Sequence, residues 1–295
     1  MAAPGILLVD KPGGVTSHDV VARARRALGT RKIGHAGTLD PMATGLLVLG
    51  VEGATRLLTF IVGLDKTYEA TIRLGASTDT DDADGQTVTQ TDASSLAWAA
   101  IRSAVAPLTG RISQVPSTYS AIKVDGRRAY DLARAGQEVE LAAREVTVSR
   151  FDVVAERRTG GFVDLDVVVE CSSGTYIRSL ARDLGAALGI GGHLTALRRT
   201  RIGPFSTVDA VEADAIADGL LLSPAAVAAS VLGRLDVTGD EARDLRHGKR
   251  LAGAASRLAQ DPTAAIDPDG VLVGIVGARG ADVKSVMNMP EEASR

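Results

Sequence analysis

The sequence predicts an α+β fold, with a mixed, largely antiparallel sheet flanked by helices and a small β-rich domain at the C-terminus. Three observations support this fold class. Segments with strand-like alternation and segments with helical spacing both occur, but without the regular strand–helix–strand order of a parallel sheet. The 295 residues are 45% hydrophobic and 23% charged, which is typical of a globular protein with a buried core. Aromatic residues make up only 3%, so we expect a mainly aliphatic core.

A short strand and a capped helix are predicted first. Residues 6–9 are an apolar run, which favours a strand. Thr16 and Asp19 have the spacing of a capping box. Apolar residues at helical spacing follow the box at positions 20, 21, 24, 27 and 28, and Gly29 is expected to end the helix.

Two further strands and a helix are predicted in the middle of the chain. Residues 67–74 alternate, with Tyr68 on the apolar face, and residues 162–171 alternate in the same way. After a Ser-Ser-Gly turn, the apolar spacing over residues 177–188 predicts a helix with Tyr176 and Arg178 in its first turn.

The character of the chain changes near residue 232. Acidic and basic residues interleave through 240–250, and residues 271–276 and 283–287 have the pattern of short strands. The sequence therefore predicts two domains, residues 1–231 and 232–295.

Composition excludes several classes of protein. The single cysteine, Cys171, excludes an internal disulfide framework and a multi-cysteine zinc site. The apolar run at residues 5–9 lacks the basic leader of a signal peptide, and the longest apolar stretch, 220–232, is too short and interrupted to span a bilayer. We expect a cytoplasmic protein.

Two loops resemble ligand sites but fail on spacing. Residues 189–192 lack the third glycine of a dinucleotide fingerprint and follow a helix instead of a strand. The acidic loop 79–85 has Ala83 and Gln90 where an EF-hand needs an oxygen ligand and a glutamate, so its simplest interpretation is a solvated turn. The sequence predicts no cofactor and no metal.

The distribution of charge permits an RNA partner without requiring one. The net charge of −3 argues against bulk non-specific binding to nucleic acid. Arginine forks suit phosphate oxygens, but on charge alone a solvated surface is the simpler interpretation. The basic residues cluster at Arg23, Arg25, Arg26, Arg31 and Lys32, and again at Arg198, Arg199 and Arg201.

Residues 31–47 are the most informative segment. Glycines at 34, 37 and 45 allow tight turns and close approach of a ligand. Asp40 precedes Pro41, which favours an extended backbone at Asp40. Taken alone, these residues are most simply a turn aspartate and a loop histidine.

The run Gly-His-Ala-Gly-Thr-Leu-Asp-Pro-Met-Ala-Thr-Gly at residues 34–45 resembles the catalytic motif of TruB-type tRNA pseudouridine synthases. Chance does not explain this agreement, because further segments resemble the family's other motifs in order. These segments are residues 10–17, 66–85, 115–130, 171–178 and 197–200.

The resemblance implies an isomerase that acts on uridine 55 in the T arm of tRNA. The base is flipped out of its stack, detached at N1 and reattached through C5, which needs no redox cofactor or group donor. The resemblance makes Asp40 the catalytic aspartate, acting as a nucleophile or as a base at the ribose. Burial raises the pKa of a carboxyl group, so a nearby cation is required, and the resemblance assigns Arg178.

The resemblance also assigns the remaining site residues. His35 fills the space that the flipped base leaves, and Tyr68 stacks on the uracil and is a candidate for removing the C5 proton. Tyr176 and Leu197 line the pocket, although core packing is their alternative interpretation. Asp82 pairs with the active-site arginine, so the Asp82→Ala change is expected to slow chemistry more than it weakens tRNA binding.

The resemblance gives each predicted domain a role. Residues 1–231 form the catalytic domain, with 117–145 as an RNA-clasping insertion, and residues 232–295 form a PUA-like domain that touches the acceptor arm. The expected partner is the T arm stem-loop of tRNA, with no membrane and no protein partner, and the chain is expected to be a monomer. Three alternatives stay open: tRNA folding alone or alongside catalysis, action on another RNA, and a small-molecule enzyme.

Overall fold

The computed structural model describes residues 2–119 and 141–290, together with the backbone of residues 123–124 and 127–128. Apart from those two pairs, residues 120–140 of the predicted RNA-clasping insertion lie outside the described residues. Among the described residues, no helix has the length and apolar character needed to cross a membrane.

The described strands are, in chain order, β1 (Gly5–Lys11), β2 (Ile33–Ala36), β3 (Thr44–Val51), β4 (Lys66–Leu74), β5 (Ala76–Thr78), β6 (Thr87–Gln90), β7 (Gly110–Gln114), β8 (Lys123–Val124), β9 (Arg127–Arg128), β10 (Arg144–Thr159), β11 (Phe162–Cys171), β12 (Gly192–Ile202), β13 (Phe205–Ser206), β14 (Val211–Glu212), β15 (Arg234–Asp236), β16 (Thr263–Ile266), β17 (Leu272–Arg279) and β18 (Asp282–Asn288). The described helices are α1 (Ser17–Ala27), α2 (Leu58–Ile61), α3 (Trp98–Val105), α4 (Ile177–Ala187), α5 (Pro224–Leu232) and α6 (Gly239–Arg246).

The chain forms two compact units. The first contains Met1–Pro41, Gly45–Gly63 and Ile202–Arg295, and the second contains Met42–Thr44 and Leu64–Arg201. The predicted division of the chain between residues 231 and 232 stays a prediction.

In the first unit, β1 lies between β3 and β14. It runs antiparallel to β3, from the pair Gly5–Val51 to the pair Lys11–Gly45, and parallel to β14, and β2 pairs with β3. The predicted capping box begins α1, because Thr16 accepts from the Asp19 amide and the Asp19 carboxylate accepts from the Thr16 amide. The apolar face of α1 packs on these strands. The buried contacts involve Leu7, Val9, Val20, Val21, Ala24, Leu28, Leu47 and Leu49.

The C-terminal part of the first unit has its own sheet, in the order β15-β16-β17-β18. β15 runs parallel to β16, and the other pairs are antiparallel. Helix α6 closes this small core, where Ala242 and Leu245 join the cluster that contains Val273 and Val283. The structure therefore confirms the predicted α+β fold with a small β-rich domain at the C-terminus.

The second unit is built on five strands in the order β12-β4-β11-β10-β7. β4 and β11 are antiparallel, from the pair Lys66–Cys171 to the pair Leu74–Val163. Both strands lie where the alternation predicts them, and Tyr68 is on the buried face of β4. The sequence predicts both Tyr176 and Arg178 in the first turn of helix α4. Arg178 lies there, whereas Tyr176 has extended backbone angles and lies at the N-cap, one residue before the helix begins.

Candidate active site

The first unit holds Asp40 in the stretch between β2 and β3, where the aspartate is half-buried. The residue before it is fixed by the buried hydroxyl of Ser17, which accepts a 2.9 Å hydrogen bond from the Leu39 amide and lies 3.1 Å from the Leu39 carbonyl oxygen. The residue after it is fixed by the Gly14 amide, which donates to the Pro41 carbonyl at 2.9 Å. The backbone on both sides of Asp40 is therefore set by residues near β1 and the start of α1.

Lys11 strengthens this arrangement. Its side chain is fully buried, and Nζ donates to the carbonyl oxygens of Pro12 at 2.8 Å, Val15 at 2.7 Å and Pro41 at 3.2 Å. A buried ammonium group is tolerated only where its donors are satisfied, and these carbonyls satisfy them. Lys11 therefore ties the turn after β1 to the residue that follows Asp40. The sequence contained Lys11 in a motif, but nothing local in it indicated these partners.

His35 lies on β2 in the first unit and is half-buried. Its ring meets that of His18 edge to face, with centroids 5.5 Å apart and planes at 84°. Gly37 follows with φ of +82°, a conformation that side-chain-bearing residues rarely adopt. The glycine at position 37 therefore lets the chain turn from β2 toward Asp40 without backbone strain.

The second unit holds Arg178 on α4, with its side chain 4% exposed. Nη1 donates to the Thr80 carbonyl at 3.0 Å and to the Ser117 hydroxyl at 3.4 Å, and Nη2 donates to the Tyr119 carbonyl at 2.7 Å. Asp82 completes this set, because its Oδ2 lies 3.5 Å from Nη1 in an ion pair that is buried on both sides. The structure thus brings Arg178 and Asp82 together.

The acidic loop presents Asp82 inward. Asp82 Oδ1 accepts from the Thr80 hydroxyl at 2.5 Å and from the Asp84 amide at 3.1 Å. The neighbouring Asp81 accepts from the Leu194 amide through its carbonyl at 3.0 Å, which fixes the loop to β12. A solvated turn is therefore the wrong interpretation for Asp82, because side-chain and backbone donors hold it in a buried position.

Gln114, at the end of β7, fixes the backbone of Tyr176. Its Nε2 donates to the Tyr176 carbonyl at 3.1 Å, and its Oε1 accepts from the Tyr176 amide at 2.8 Å. This pair of bonds explains why Tyr176 keeps an extended backbone at the helix N-cap. Sequence reasoning missed Gln114, because the two residues are 62 positions apart and a glutamine that ends a strand carries no signal of its own.

Tyr68 and Leu197 are both buried in the second unit, on β4 and β12. Lys66 lies on the same face of β4 as Tyr68. Burial lowers the pKa of Lys66 to about 8, with a further contribution from the nearby cation Arg199. The buried face of β4 therefore carries a phenol and a lysine that loses its proton near pH 8.

A cleft of about 600 Å³ lies in the second unit, and Leu197 is among its lining residues. Glu69 and Thr71 of β4 also line it, on the face opposite Tyr68. Ala70, which lies on the same face of β4 as Tyr68, lines it as well. The cleft therefore shares Leu197 with the pocket that the sequence predicts around Tyr68.

Three family models match the chain. The model for the TruB family pseudouridylate synthase N-terminal domain matches residues 25–177. The tRNA pseudouridylate synthase B C-terminal domain matches residues 178–235, and the tRNA pseudouridine synthase II C-terminal model matches residues 232–290.

Curated relatives match over almost the whole chain. The tRNA pseudouridine synthase B of Leifsonia xyli subsp. xyli is 56% identical and covers 99% of this chain and 98% of its own length. The protein of the same name from Rhodococcus jostii is 55% identical and covers 97% of this chain and 94% of its own length.

Solved structures share the fold. A chain in the crystal structure of a Cbf5–Nop10–Gar1 complex has a TM-score of 0.68 and 25% identity, over 99% of this chain and 81% of that chain. A chain in an H/ACA RNP bound to a substrate RNA containing 2′-deoxyuridine has a TM-score of 0.70 and 24% identity, over 99% of this chain and 87% of that chain.

These matches define the class of the protein as a pseudouridine synthase, which is an isomerase. The chain belongs to the TruB family of tRNA pseudouridine synthases. The resemblance drawn from the sequence motifs is confirmed.

Proposed function

We propose that the chain converts uridine 55 in the T arm of tRNA to pseudouridine. One observation carries this proposal: a relative named tRNA pseudouridine synthase B matches 99% of the chain at 56% identity. A tRNA substrate agrees with the cytoplasmic location and the monomeric state expected from the sequence. The PUA-like C-terminal domain is proposed to touch the same tRNA outside the T arm.

The geometry around Asp40 supports its role in catalysis. A group that attacks or deprotonates a ribose must be held in one position relative to that ribose. The Ser17 hydroxyl on one side and the Gly14 amide and Lys11 ammonium on the other hold the backbone of Asp40 in this way. The carboxylate acts either as a nucleophile at C1′ or as a base at the ribose.

The chemistry is an internal transfer without net gain or loss of atoms. The bond between N1 and C1′ breaks, and a new bond forms between C5 and C1′. N1 gains a proton, and C5 loses one in the last step. Tyr68 is the candidate for removing that proton, and its phenol needs help from the site because an ordinary phenol has a pKa near 10.

The flipped base must bind in a pocket, and the space that it leaves in the RNA stack must be filled. Extruding a base costs a few kcal/mol of stacking, which contacts in the pocket must offset. In this proposal Tyr68 stacks on the uracil, Tyr176 and Leu197 line the pocket, and His35 fills the gap. The proposal assigns Arg178 the positive charge that keeps the Asp40 carboxylate ionised, and it assigns Asp82 the role of holding Arg178.

Release of tritium from C5-labelled uridine in unmodified tRNA tests the proposal. Wild type and the Asp40→Ala variant are compared with enzyme in excess, and tRNA binding is measured for both. We expect release by wild type, none by the variant, and binding by both. Tight binding without release by either would indicate an RNA-folding protein, and release by both would remove Asp40 from the mechanism.

The position of the modified base needs a separate control. A tRNA with cytidine at position 55 is expected to release no label above background. Release from that tRNA at the wild-type rate would show that another uridine, and therefore another target, is modified.

A further inference from the structure

A second arginine lies one helical turn after Arg178 on α4. The Arg182 guanidinium donates through Nη2 to the Val115 carbonyl at 2.7 Å. The same side chain pairs with Asp81 at 3.4 Å and with Asp183 at 2.9 Å, and it is 30% exposed. Residues four apart on a helix lie on the same face, so both arginines point toward the same neighbouring segment.

That segment is residues 115–119, which continues from the end of β7 at Gln114. It has no regular secondary structure; Pro116 and Ser117 are buried, whereas Val115 at its start is exposed. Ser117 and Tyr119 belong to this segment, and both accept hydrogen bonds from the Arg178 guanidinium. The segment therefore forms part of the cradle of Arg178.

Arg182 fixes the start of this segment. Val115 is exposed, so packing does not hold it, whereas a hydrogen bond from a charged donor is stronger than one between neutral groups. Asp81 holds the other side of the Arg182 guanidinium and sits beside Asp82 in the acidic loop. Arg182 thus joins α4, the acidic loop and the segment 115–119, which are the three elements around Arg178.

We infer that Arg182 is a positioning residue for the isomerisation, because it holds the segment 115–119 in the place where Ser117 and Tyr119 orient the Arg178 guanidinium. The inference rests on the proposed function. Without Arg182 the exposed Val115 carbonyl exchanges its partner for water, and only the burial of Pro116 and Ser117 then holds the two acceptors that follow, so their position becomes less precise. Arg178 keeps its charge but loses its orientation.

The test compares the full-length wild type with Arg182→Gln, which keeps most of the side-chain length and removes the charge. Single-turnover tritium release from C5-labelled tRNA at saturating enzyme gives the rate constant of the chemical step. A displacement of about 1 Å in an active site costs up to about a hundredfold in rate, so we expect Arg182→Gln to slow this step about tenfold or more. The Kd for tRNA is expected to stay within about twofold of the wild-type value, because Arg182 acts through Arg178 and not on RNA.

Arg158→Gln is a matched control within the same unit. Arg158 also donates to two backbone carbonyls, those of Ser94 and Leu96, both at 2.7 Å, and it also pairs with an acid, Glu156. This variant is expected to leave the rate constant and the Kd unchanged. A misfolded fraction does not alter a rate constant measured at saturating enzyme, so a merely structural role for Arg182 would leave that constant at the wild-type value.

Two further variants separate the outcomes. Asp81→Asn removes one of the two charge partners of Arg182, the one in the acidic loop, with little change of shape, and asparagine tolerates the left-handed φ of +62° at this position. We expect Asp81→Asn to slow the chemical step, as Arg182→Gln does. We expect Arg182→Lys to recover part of the rate that Arg182→Gln loses.

An unchanged rate constant in Arg182→Gln, or a weakened Kd with an unchanged rate constant, would overturn the inference while the proposed function stands. Absence of release by wild type would overturn both.

Discussion

Ser17 and Leu39 are 22 residues apart, and the buried Ser17 hydroxyl contacts both the amide and the carbonyl of Leu39. Ser17 is the first residue of α1, and Leu39 directly precedes Asp40. The start of a capped helix therefore sets the backbone position of the proposed catalytic residue. The helix itself is fixed by its capping box and by its packing on β1 and β3.

Replacing Ser17 by alanine is expected to slow catalysis without weakening tRNA binding. The change leaves the Leu39 amide and carbonyl without their buried partner, which costs about 1 to 3 kcal/mol of folding free energy. The loss of position at Asp40 is expected to lower the single-turnover rate constant about tenfold. Urea denaturation measures the first effect, and tritium release at saturating enzyme measures the second.

Ser223→Ala is the control for this prediction. Ser223 caps α5 in the same unit by accepting from the Ala226 amide at 3.1 Å, so its loss also costs about 1 kcal/mol. We expect this variant to keep the wild-type rate constant. If both variants lost stability equally and Ser17→Ala kept its rate, the hydroxyl would have no part in placing Asp40.

Replacing Asp82 by asparagine is expected to separate chemistry from binding. Asparagine has the same shape but leaves the buried Arg178 without its counterion, and breaking a buried ion pair costs about 3 to 5 kcal/mol. We expect a fall of about tenfold or more in the single-turnover rate constant and a tRNA Kd within about threefold of wild type. Asp84→Asn, an exposed change in the same loop, is the control. Equal losses of rate and affinity in Asp82→Asn would contradict the assignment of Asp82 as the holder of Arg178.

The elements that the sequence predicts well are those with local signals. The alternation in β4 and β11, the capping box of α1 and the glycine after α1 all depend on residues close together in the chain. Asp40 and Arg178 are identified only through family motifs, because neither an aspartate before a proline nor an arginine in a helix has a chemical signature of its own. Local patterns and family motifs thus indicated the fold class and the candidate residues.

The parts that the sequence did not predict depend on distant pairing. Ile6 of β1 exchanges backbone hydrogen bonds with Leu222, at 3.0 and 2.8 Å, so the N-terminal strands share a unit with residues from the last third of the chain. Gln114 reaches Tyr176, and Arg182 reaches Val115. Each of these contacts joins side chains or backbone groups more than 60 positions apart, and no periodicity records such a pairing.

At Gly185 we expect alanine to destabilise the protein, although helix propensity alone predicts that alanine stabilises it. Alanine normally stabilises a helix interior by about 1 kcal/mol relative to glycine. A Cβ at position 185 of α4, however, would lie 2.1 Å from the Gly192 amide nitrogen and 2.2 Å from the Gly191 carbonyl carbon. Since backbone cannot move aside cheaply, we expect Gly185→Ala to lower the free energy of unfolding by about 3 kcal/mol or more.

Gly63→Ala is the control for Gly185→Ala, because a Cβ at position 63 would have no atom within 4 Å. Urea denaturation of both variants gives the comparison. A Gly185→Ala protein as stable as wild type would show that α4 does not pack on the turn before β12 as closely as described.

Lys66 is expected to make the stability of the protein rise with pH relative to a variant without that lysine. The ordinary lysine pKa of 10.5 applies in the unfolded chain, and burial lowers the pKa in the folded protein to about 8. Between these two values the folded protein has released a proton that the unfolded chain still binds, so the free energy of unfolding rises with pH in that window. Below pH 8 both states are protonated, and the full cost of the buried charge is present.

The Lys66→Met variant removes this titration. Burial raises the pKa of the neighbouring Cys171 thiol to about 11 in the folded protein, which is above the pH range compared. Each unit of pKa shift corresponds to about 1.4 kcal/mol, so the stability of wild type minus that of Lys66→Met is expected to increase by about 2 kcal/mol from pH 7 to pH 10. Urea denaturation at pH 7, 8, 9 and 10 measures this difference. A stability difference that stays constant from pH 7 to pH 10 would mean that Lys66 keeps its ordinary pKa. Lys66 would then stay charged beside Tyr68 throughout the pH range in which the phenol must act.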